Sequence, residues 1–273
     1  MKSHDIARAD SFIRIYEEGD GPLPPILLIS GFIGAASFWQ PLKAELARTR
    51  RVISFDQRGT GASGPFSVPL TMEQMTQDAM SVLAATGNAC AHVIGHSAGA
   101  GVGMMLAARQ PNQVASLTLI GGWTKADLWM RRAFQTRLDS LESKGALAYL
   151  EATTLFMRPP ADLRERGASL LDEEQRALLS FPGPTSIRAR VEAVLAWDSA
   201  AFSTKLTCPT LVVGSADDQM TPFYFSQDLA RDIPGASLHQ LDKGGHYCVR
   251  SQPKETLEPI LAFLASTEEP RAS

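Results

Sequence analysis

The pentapeptide Gly95-His96-Ser97-Ala98-Gly99 sets a serine between glycines where an apolar run, 91–95, meets a segment of helical period, Ala98–Arg109, that Pro111 stops. Glycines lack Cβ atoms, so the chain can turn sharply there and hold the serine in a strained conformation. A serine so placed stands above the carboxyl ends of strands, with the positive end of a helix beneath it, and can attack a carbonyl carbon. The same five residues also describe a packing turn whose serine caps the helix. The rest of the constellation decides between the two.

A serine hydroxyl is a poor nucleophile at neutral pH and needs an adjacent base. Of the five histidines, His4 falls in an amino-terminal segment expected to be mobile, and His92 and His239 fall in predicted strands. His96, next to Ser97, is expected to point away from it and to help hold the turn. His246 follows Asp242-Lys243-Gly244-Gly245, a glycine loop able to carry an imidazole over the sheet edge, and is the expected base. An acid to orient that imidazole is expected after the preceding predicted strand, 210–214, where Asp217 and Asp218 stand together. Either can serve, and the other can end the strand through an Asx-type turn.

Acyl transfer also needs N–H donors for the developing oxyanion. The backbone N–H of Ala98, directly after the serine, is one candidate. The N–H of Phe32 in the loop Ser30-Gly31-Phe32-Ile33-Gly34 is the other. The string Asp56-Gln57-Arg58-Gly59-Thr60-Gly61-Ala62-Ser63 lacks a full G-x-G-x-x-G and a helix start. It reads as a structural loop beside the site and not as a dinucleotide cradle.

The elements that must position these residues are visible as apolar runs bounded by turn residues at 12–16, 26–30, 52–56, 92–95 and 117–121. Segments of helical period lie between several of them, at 42–48 and 72–86. The pattern resumes with a strand at 210–214, a helix at 223–232, a strand at Ser237–Leu241 and a closing helix at 255–264. Near-continuous apolar strands alternating with amphipathic helices predict an α/β domain whose mostly parallel sheet is covered on both faces. Residues 122–205 read as helices only, broken by Pro159-Pro160 and Pro182-Gly183-Pro184. The expected organisation is a core of residues 1–121 and 206–273 with a helical lid, 122–205, inserted into it. The lid is expected to set specificity, with Trp123 and Trp197 joining Phe32 and Trp39 around an apolar pocket. Arg131 and Arg132, or Arg158, Arg188 and Arg190, could receive a substrate carboxylate bidentately.

With 273 residues, 44% of them hydrophobic and 20% charged, the chain can bury a sizeable core and shows no compositional sign of disorder. A net charge of −3 leaves no electrostatic footprint for nucleic acid. No stretch approaches the roughly 20 apolar residues of a membrane span, and the amino terminus lacks the apolar run of a signal peptide. Cys90, Cys208 and Cys248 are too few and too scattered for a disulfide framework or a metal site, which predicts a reducing, cytoplasmic setting. The expected partner is a small-molecule substrate, with no nucleic acid, no membrane, no metal and no organic cofactor. Nothing in the composition argues against a homodimer.

These motifs, spread over nearly the whole chain, resemble the α/β-hydrolase superfamily. The matching positions are the Ser30-Gly31-Phe32 loop, the string 56–63, the 95–99 turn, Asp218 with Pro222, and Gly245-His246. Within the superfamily the chain is most similar to 3-oxoadipate enol-lactonases and to RutD-like aminoacrylate hydrolases. The latter likeness rests on 56–61, on Gly122-Trp123, and on Arg132-Ala133-Phe134-Gln135. The resemblance implies the α/β-hydrolase fold, with an eight-stranded type of sheet, and a triad in the chain order Ser97, Asp218, His246. It favours Asp218 over Asp217, because the spacing to Pro222 fits the family pattern D-x-x-[TV]-P. It implies a serine nucleophile that cleaves an ester, lactone, amide or enamine-type bond of a small, carboxylate-bearing metabolite through an acyl-enzyme. The chain departs from most relatives in having Ser30-Gly31 where they carry His-Gly. The same triad also serves C–C bond hydrolases and perhydrolases, and a receptor could retain it with negligible turnover.

Overall fold

A computed structural model of the chain describes residues 1–66, 69–88 and 90–268. Its centre is one sheet of seven strands: β1 (Lys2–Ala7), β2 (Phe12–Ile29), β3 (Arg50–Phe55), β4 (Ala91–His96), β5 (Val114–Ile120), β6 (Thr210–Ser215) and β7 (Ser237–Leu241). The path runs β1-β2-β4-β5-β6-β7, and β3 pairs with β2. From β2 onward to β4, β5, β6 and β7 every pairing is parallel.

The eight-stranded type of sheet is built here from seven continuous strands, and the reason lies in β2. Its first arm pairs with β3 in falling register, Glu17 with Ile53 and Glu18 with Val52. Its second arm pairs with β3 in rising register, Ile26 with Val52 and Leu27 with Ile53. The stretch 19–25 reverses the chain without interrupting the strand, so β2 flanks β3 on both sides. Seven strands, one counted twice, thus fill eight positions.

Two readings of the chain ends also change. The amino-terminal segment containing His4 is not loose but forms edge strand β1, antiparallel to β2 from Lys2↔Glu17 to Ala7↔Phe12. Its residues are almost all exposed, so no apolar run marks it in the sequence. At the other end, the sequence pattern marks the closing helix only to 264. Helix α11 (Pro253–Glu268) instead continues to Glu268, whose carboxylate meets Arg50 at 2.5 Å and His92 at 3.0 Å. Residues 269–273 lie outside the described residues.

Alternation along the strands divides the core. Ile26, Leu28, Val52, Ile94, Leu211 and Val213 face α1 (Gln40–Leu46) and α11, where Trp39, Leu42, Leu257 and Ile260 cover them. Leu27, Ile29, Ile53, Val93, Leu117 and Val212 point to the opposite face, under α2 (Met72–Ala85), α3 (Ala98–Arg109) and α9 (Tyr224–Asp232). Burial on both faces explains why these strands read as continuous apolar runs.

Between β5 and β6 come α4 (Leu128–Lys144), α5 (Ala146–Met157), α6 (Pro160–Arg166), α7 (Ala168–Leu179) and α8 (Pro184–Leu195). Their buried residues, among them Phe134, Tyr149, Met157 and Val191, belong to the same apolar cluster as α2 and α3. This layer has no separate core. A bridge between Lys125 and Asp198, with an ion pair of 2.8 Å, ties together the chain entering the layer and the chain leaving it. Among the described residues no helix is long and apolar enough to cross a membrane. All three cysteines are free. The short helix α10 (Cys248–Ser251) completes the set.

Candidate active site

β4 lies between β2 and β5, and its last residue, His96, leads directly into Ser97. Ser97 has φ 54° and ψ −121°, and among the described residues no other non-glycine residue has positive φ. This backbone is costly for a side-chain-bearing residue and persists only where the surroundings impose it. They do so here. The Ser97 N–H donates to Ile120 O at 2.8 Å. A Cβ on Gly95 or on Gly99 would run into main chain, that of Gly99 and of Ile29 respectively.

The hydroxyl so presented lies 2.9 Å from His246 Nε2, and His246 Nδ1 lies 2.9 Å from Asp218 Oδ2. A carboxylate only accepts, so the Nδ1 atom carries the proton and leaves Nε2 as an acceptor for the serine. Asp218 is fixed in turn: its Oδ1 accepts the N–H groups of Met220 and Thr221, both at 2.8 Å. Asp217 does something else. Its Oδ1 accepts the Ser215 hydroxyl at 2.7 Å and the Gly245 N–H at 2.8 Å, which pins the histidine loop to the end of β6. The ambiguity between the two aspartates therefore ends in a division of labour, with Asp218 alone meeting the imidazole.

Thr221 was not singled out in the sequence. Its hydroxyl lies 2.9 Å from Asp218 Oδ2, 3.1 Å from His246 Nδ1 and 3.1 Å from Gly121 O. It closes the carboxylate–imidazole pair and could have been read from the threonine of D-x-x-T-P.

His96 does hold the turn, but by way of the imidazole loop. Its Nε2–H donates to the carbonyl of His246 at 2.8 Å, and its ring stacks on Phe38 at 4.4 Å. Burial, with the neighbouring His246 second, drives its pKa well below the usual histidine value. Burial also lowers that of His92. Both histidines are thus neutral when folded, whereas the unfolded chain takes up protons near pH 6.5. Between the depressed values and about 6.5 the unfolded state binds more protons, so stability falls as the pH falls through that window. Denaturant midpoints are expected to be level above pH 7.5. They should decline from pH 6.5 to 5, with a slope of up to about 1.4 kcal/mol per pH unit for each histidine. A slope unchanged in His96→Gln would remove His96 from this account.

The loop after β2 packs directly on the turn. A Cβ on Gly31 would come within 2.9 Å of Ser97 Cβ and 3.0 Å of His96 Nδ1, so only glycine fits. Phe32 follows it, and Ala98 opens α3 on the other side of Ser97. Ser30, the departure from the family's His-Gly, closes the loop through its own hydroxyl onto Ala35 O at 2.8 Å. The string 56–63 braces it further: Gln57 Nε2 donates to Ser30 O at 2.9 Å and Asp56 Oδ1 accepts the Ala36 N–H at 2.8 Å.

Arg190, on α8, reaches the same loop. Its Nη1 donates to Phe32 O at 3.0 Å and to Gln57 Oε1 at 3.2 Å, and its Nη2 to Arg58 O at 2.6 Å. Burial without a carboxylate brings its pKa down to about 10. An arginine considered as a substrate ligand is thus a brace for the loop.

Above Ser97 and His246 opens a cavity of about 480 Å³. Phe32, Phe134, Arg137, Tyr149, Met220 and Tyr247 are among its lining residues. The four residues expected to contact substrate from the lid do not reach it. Trp123 and Trp197 are buried in the core against α3, where Trp197 Cε2 would lie 3.2 Å from a Cβ on Gly101 and its Nε1 donates to Trp123 O at 3.1 Å. Arg131 and Arg132 sit on the exposed face of α4. Arg188 is paired with Glu142 at the surface. Trp39 lies under the opposite face of the sheet.

Comparison with known proteins shows the family to which the chain belongs. The profile of the family described as alpha/beta hydrolase fold matches residues 24–249. A protein of Azorhizobium caulinodans, named as a carbamate hydrolase, RutD, is 37% identical over 255 residues, covering 93% of this chain and 96% of that one. A Variovorax paradoxus protein named in the same way is 38% identical over 247 residues, covering 90% and 93%. Among solved structures, an enol-lactonase from Burkholderia xenovorans superposes with a TM-score of 0.85 at 22% identity, covering 96% of this chain and 100% of that one. At that identity the likeness speaks for the fold alone.

Proposed function

The chain belongs to the α/β-hydrolase fold family and is a hydrolase, and from that premise we propose that it is a serine hydrolase acting on a small, carboxylate-bearing metabolite. The observation that carries the reading is the unbroken series Ser97 Oγ, His246 Nε2, His246 Nδ1, Asp218 Oδ2, with 2.9 Å at each hydrogen bond. Ser97 Oγ attacks the carbonyl carbon while its proton passes to His246 Nε2. The oxyanion is held by the N–H groups of Phe32 and Ala98. Collapse of the adduct breaks the bond to the leaving group, which takes the proton from His246. Water, deprotonated by the same imidazole, then releases the acyl group and regenerates Ser97. Asp218 holds the tautomer and stabilises the imidazolium.

The relatives' names favour a C–N bond as the one cleaved, and protonation of the leaving atom by His246 suits nitrogen as well as oxygen. The test is acid or amine release from a panel of short esters, lactones, amides, carbamates and enamide acids, with Ser97→Ala as control. Turnover that survives in Ser97→Ala would end the nucleophile assignment.

The brace on the oxyanion loop makes a separate prediction. Arg190→Met removes the donors to Phe32 O and Arg58 O without touching substrate. It should lower kcat about 10- to 100-fold, less than the 10²–10³ typical of losing an oxyanion donor outright, and leave KM within about threefold. Steady-state kinetics on the best panel substrate decides. A change confined to KM would place the residue's effect on binding instead.

A further inference from the structure

Four arginines line the cavity: Arg137, Arg158, Arg176 and Arg250. Arg176 and Arg250 are exposed, so solvent screens them. Arg158 is buried but neutralised, with Asp162 at 2.6 Å and Glu173 at 3.0 Å.

Arg137 is the exception. It is 1% exposed, and no carboxylate of the described residues pairs with it. Its Nε donates to Thr153 Oγ1 at 3.0 Å and its Nη2 to Tyr149 Oη at 2.8 Å. Nη1 meets only the sulfur of Met220, at 3.8 Å, and a thioether is a weak acceptor. The rings of Phe134 and Tyr149, both 5.0 Å from the guanidinium, and of Phe32, at 5.6 Å, hold the fork in place. A buried cation with unused donors is costly unless something pairs with it.

Arg190 supplies the contrast. It too is buried without a carboxylate, but both its Nη atoms meet oxygens, only its Nε is left without a partner, and it does not line the cavity. Arg137 has a free edge and faces the space a ligand would fill.

We infer that Arg137 is the anion-binding residue of this cavity and takes the substrate's carboxylate on its Nη1 edge. The inference rests on the hydrolase reading above for the word substrate, though not for the site. Two residues beside the guanidinium, Met220 and Phe32, tie it to the reaction centre. Met220 gives its backbone N–H to Asp218, and Phe32 belongs to the loop against Ser97. A carboxylate held between them lies a short chain from the carbonyl that Ser97 attacks. The substrate class is a short acyl compound with a free carboxylate, such as a hemi-ester or monoamide of a small dicarboxylic acid.

Two measurements test this. Calorimetry should show succinate binding to Ser97→Ala, and binding at least about 30-fold weaker in Ser97→Ala/Arg137→Met, the lower range for truncating one partner of a buried charge pair. Arg137→Lys in the same background keeps the charge without the fork and should recover part of the loss. Neutral succinamide should distinguish the variants little. Equal succinate affinity with and without Arg137, or no succinate binding to Ser97→Ala, overturns the inference. In the second measurement, the ratio of kcat/KM for monomethyl succinate to that for dimethyl succinate should fall at least about 30-fold in Arg137→Met. Equal loss on both esters would mark a packing role and overturn the inference as well. If Arg137-dependent succinate binding holds but no compound is hydrolysed through Ser97, the hydrolase mechanism fails and the anion site stands.

Discussion

Ser97→Ala is expected to reduce turnover by about 10⁴- to 10⁶-fold while substrate affinity stays within a few-fold. The change is narrow in physical terms. Alanine keeps the Cβ that Gly31 packs against and accepts the same φ of 54° at the same cost, so neither the turn nor the loop is disturbed. What disappears is the oxygen 2.9 Å from His246 Nε2. Any residual rate then reports binding and the two N–H donors acting on attack by water. Rapid-quench detection of an acyl-enzyme in the parent protein, absent from the variant, would accompany the loss. A decrease under tenfold would mean that Ser97 does not attack.

The second large effect separates two adjacent aspartates. Asp218→Asn preserves the shape but offers an amide N–H₂ that can turn toward Nδ1, which then must lose its proton. Nε2 becomes protonated and can no longer accept from Ser97. A loss of about 10⁴ in kcat is the scale for forcing that tautomer. Asp217→Asn retains a carbonyl oxygen for Ser215 and the Gly245 N–H, and should cost less than tenfold in kcat. It loosens only the anchor of the histidine loop. The two variants measured side by side decide the assignment. Equal losses would mean that the loop, and not the imidazole's partner, limits the rate.

Much of this site was legible because its chemistry is local in sequence. The turn at 95–99 needs glycines on both sides of the serine, and a loop histidine needs glycines before it; both leave a written trace. The strands were legible because burial on both faces makes them uniformly apolar. Strand β1 was not, since an exposed edge strand held by main-chain bonds to β2 can be as polar as a loop. The double use of β2 escaped because continuity of a strand through 19–25 is set by pairing with β3 on either side. The lid contacts were misjudged for another reason. Tryptophans at its base were assigned to a pocket, although the glycine-rich face of α3 offers them a closer-packed place.

The two arginines buried beside the site did leave a signal, of a kind that composition conceals. On α4 the buried stripe runs Met130, Ala133, Phe134, Arg137, Leu138, Leu141. On α8 it runs Ile187, Arg190, Val191, Val194. In each helix one guanidinium occupies a position that helical periodicity reserves for an apolar side chain. Arg131 and Arg132, chosen as an adjacent pair, lie on the opposite, solvated face. A charge standing within the apolar stripe, not a run of charges, was the informative pattern.

The grip of Arg190 on the carbonyl of Phe32 bears on how relatives of this fold could exchange parts. The inserted helical layer is often imagined as an interchangeable cassette that selects substrates above an autonomous reaction centre. Here the cassette also carries a strut of that centre. A chimera receiving a foreign insert without an arginine at this point on its last helix would inherit an intact serine, histidine and aspartate, yet the loop facing them would lack its support. The helical layer over the cavity and the loop beside Ser97 are therefore joined at one guanidinium.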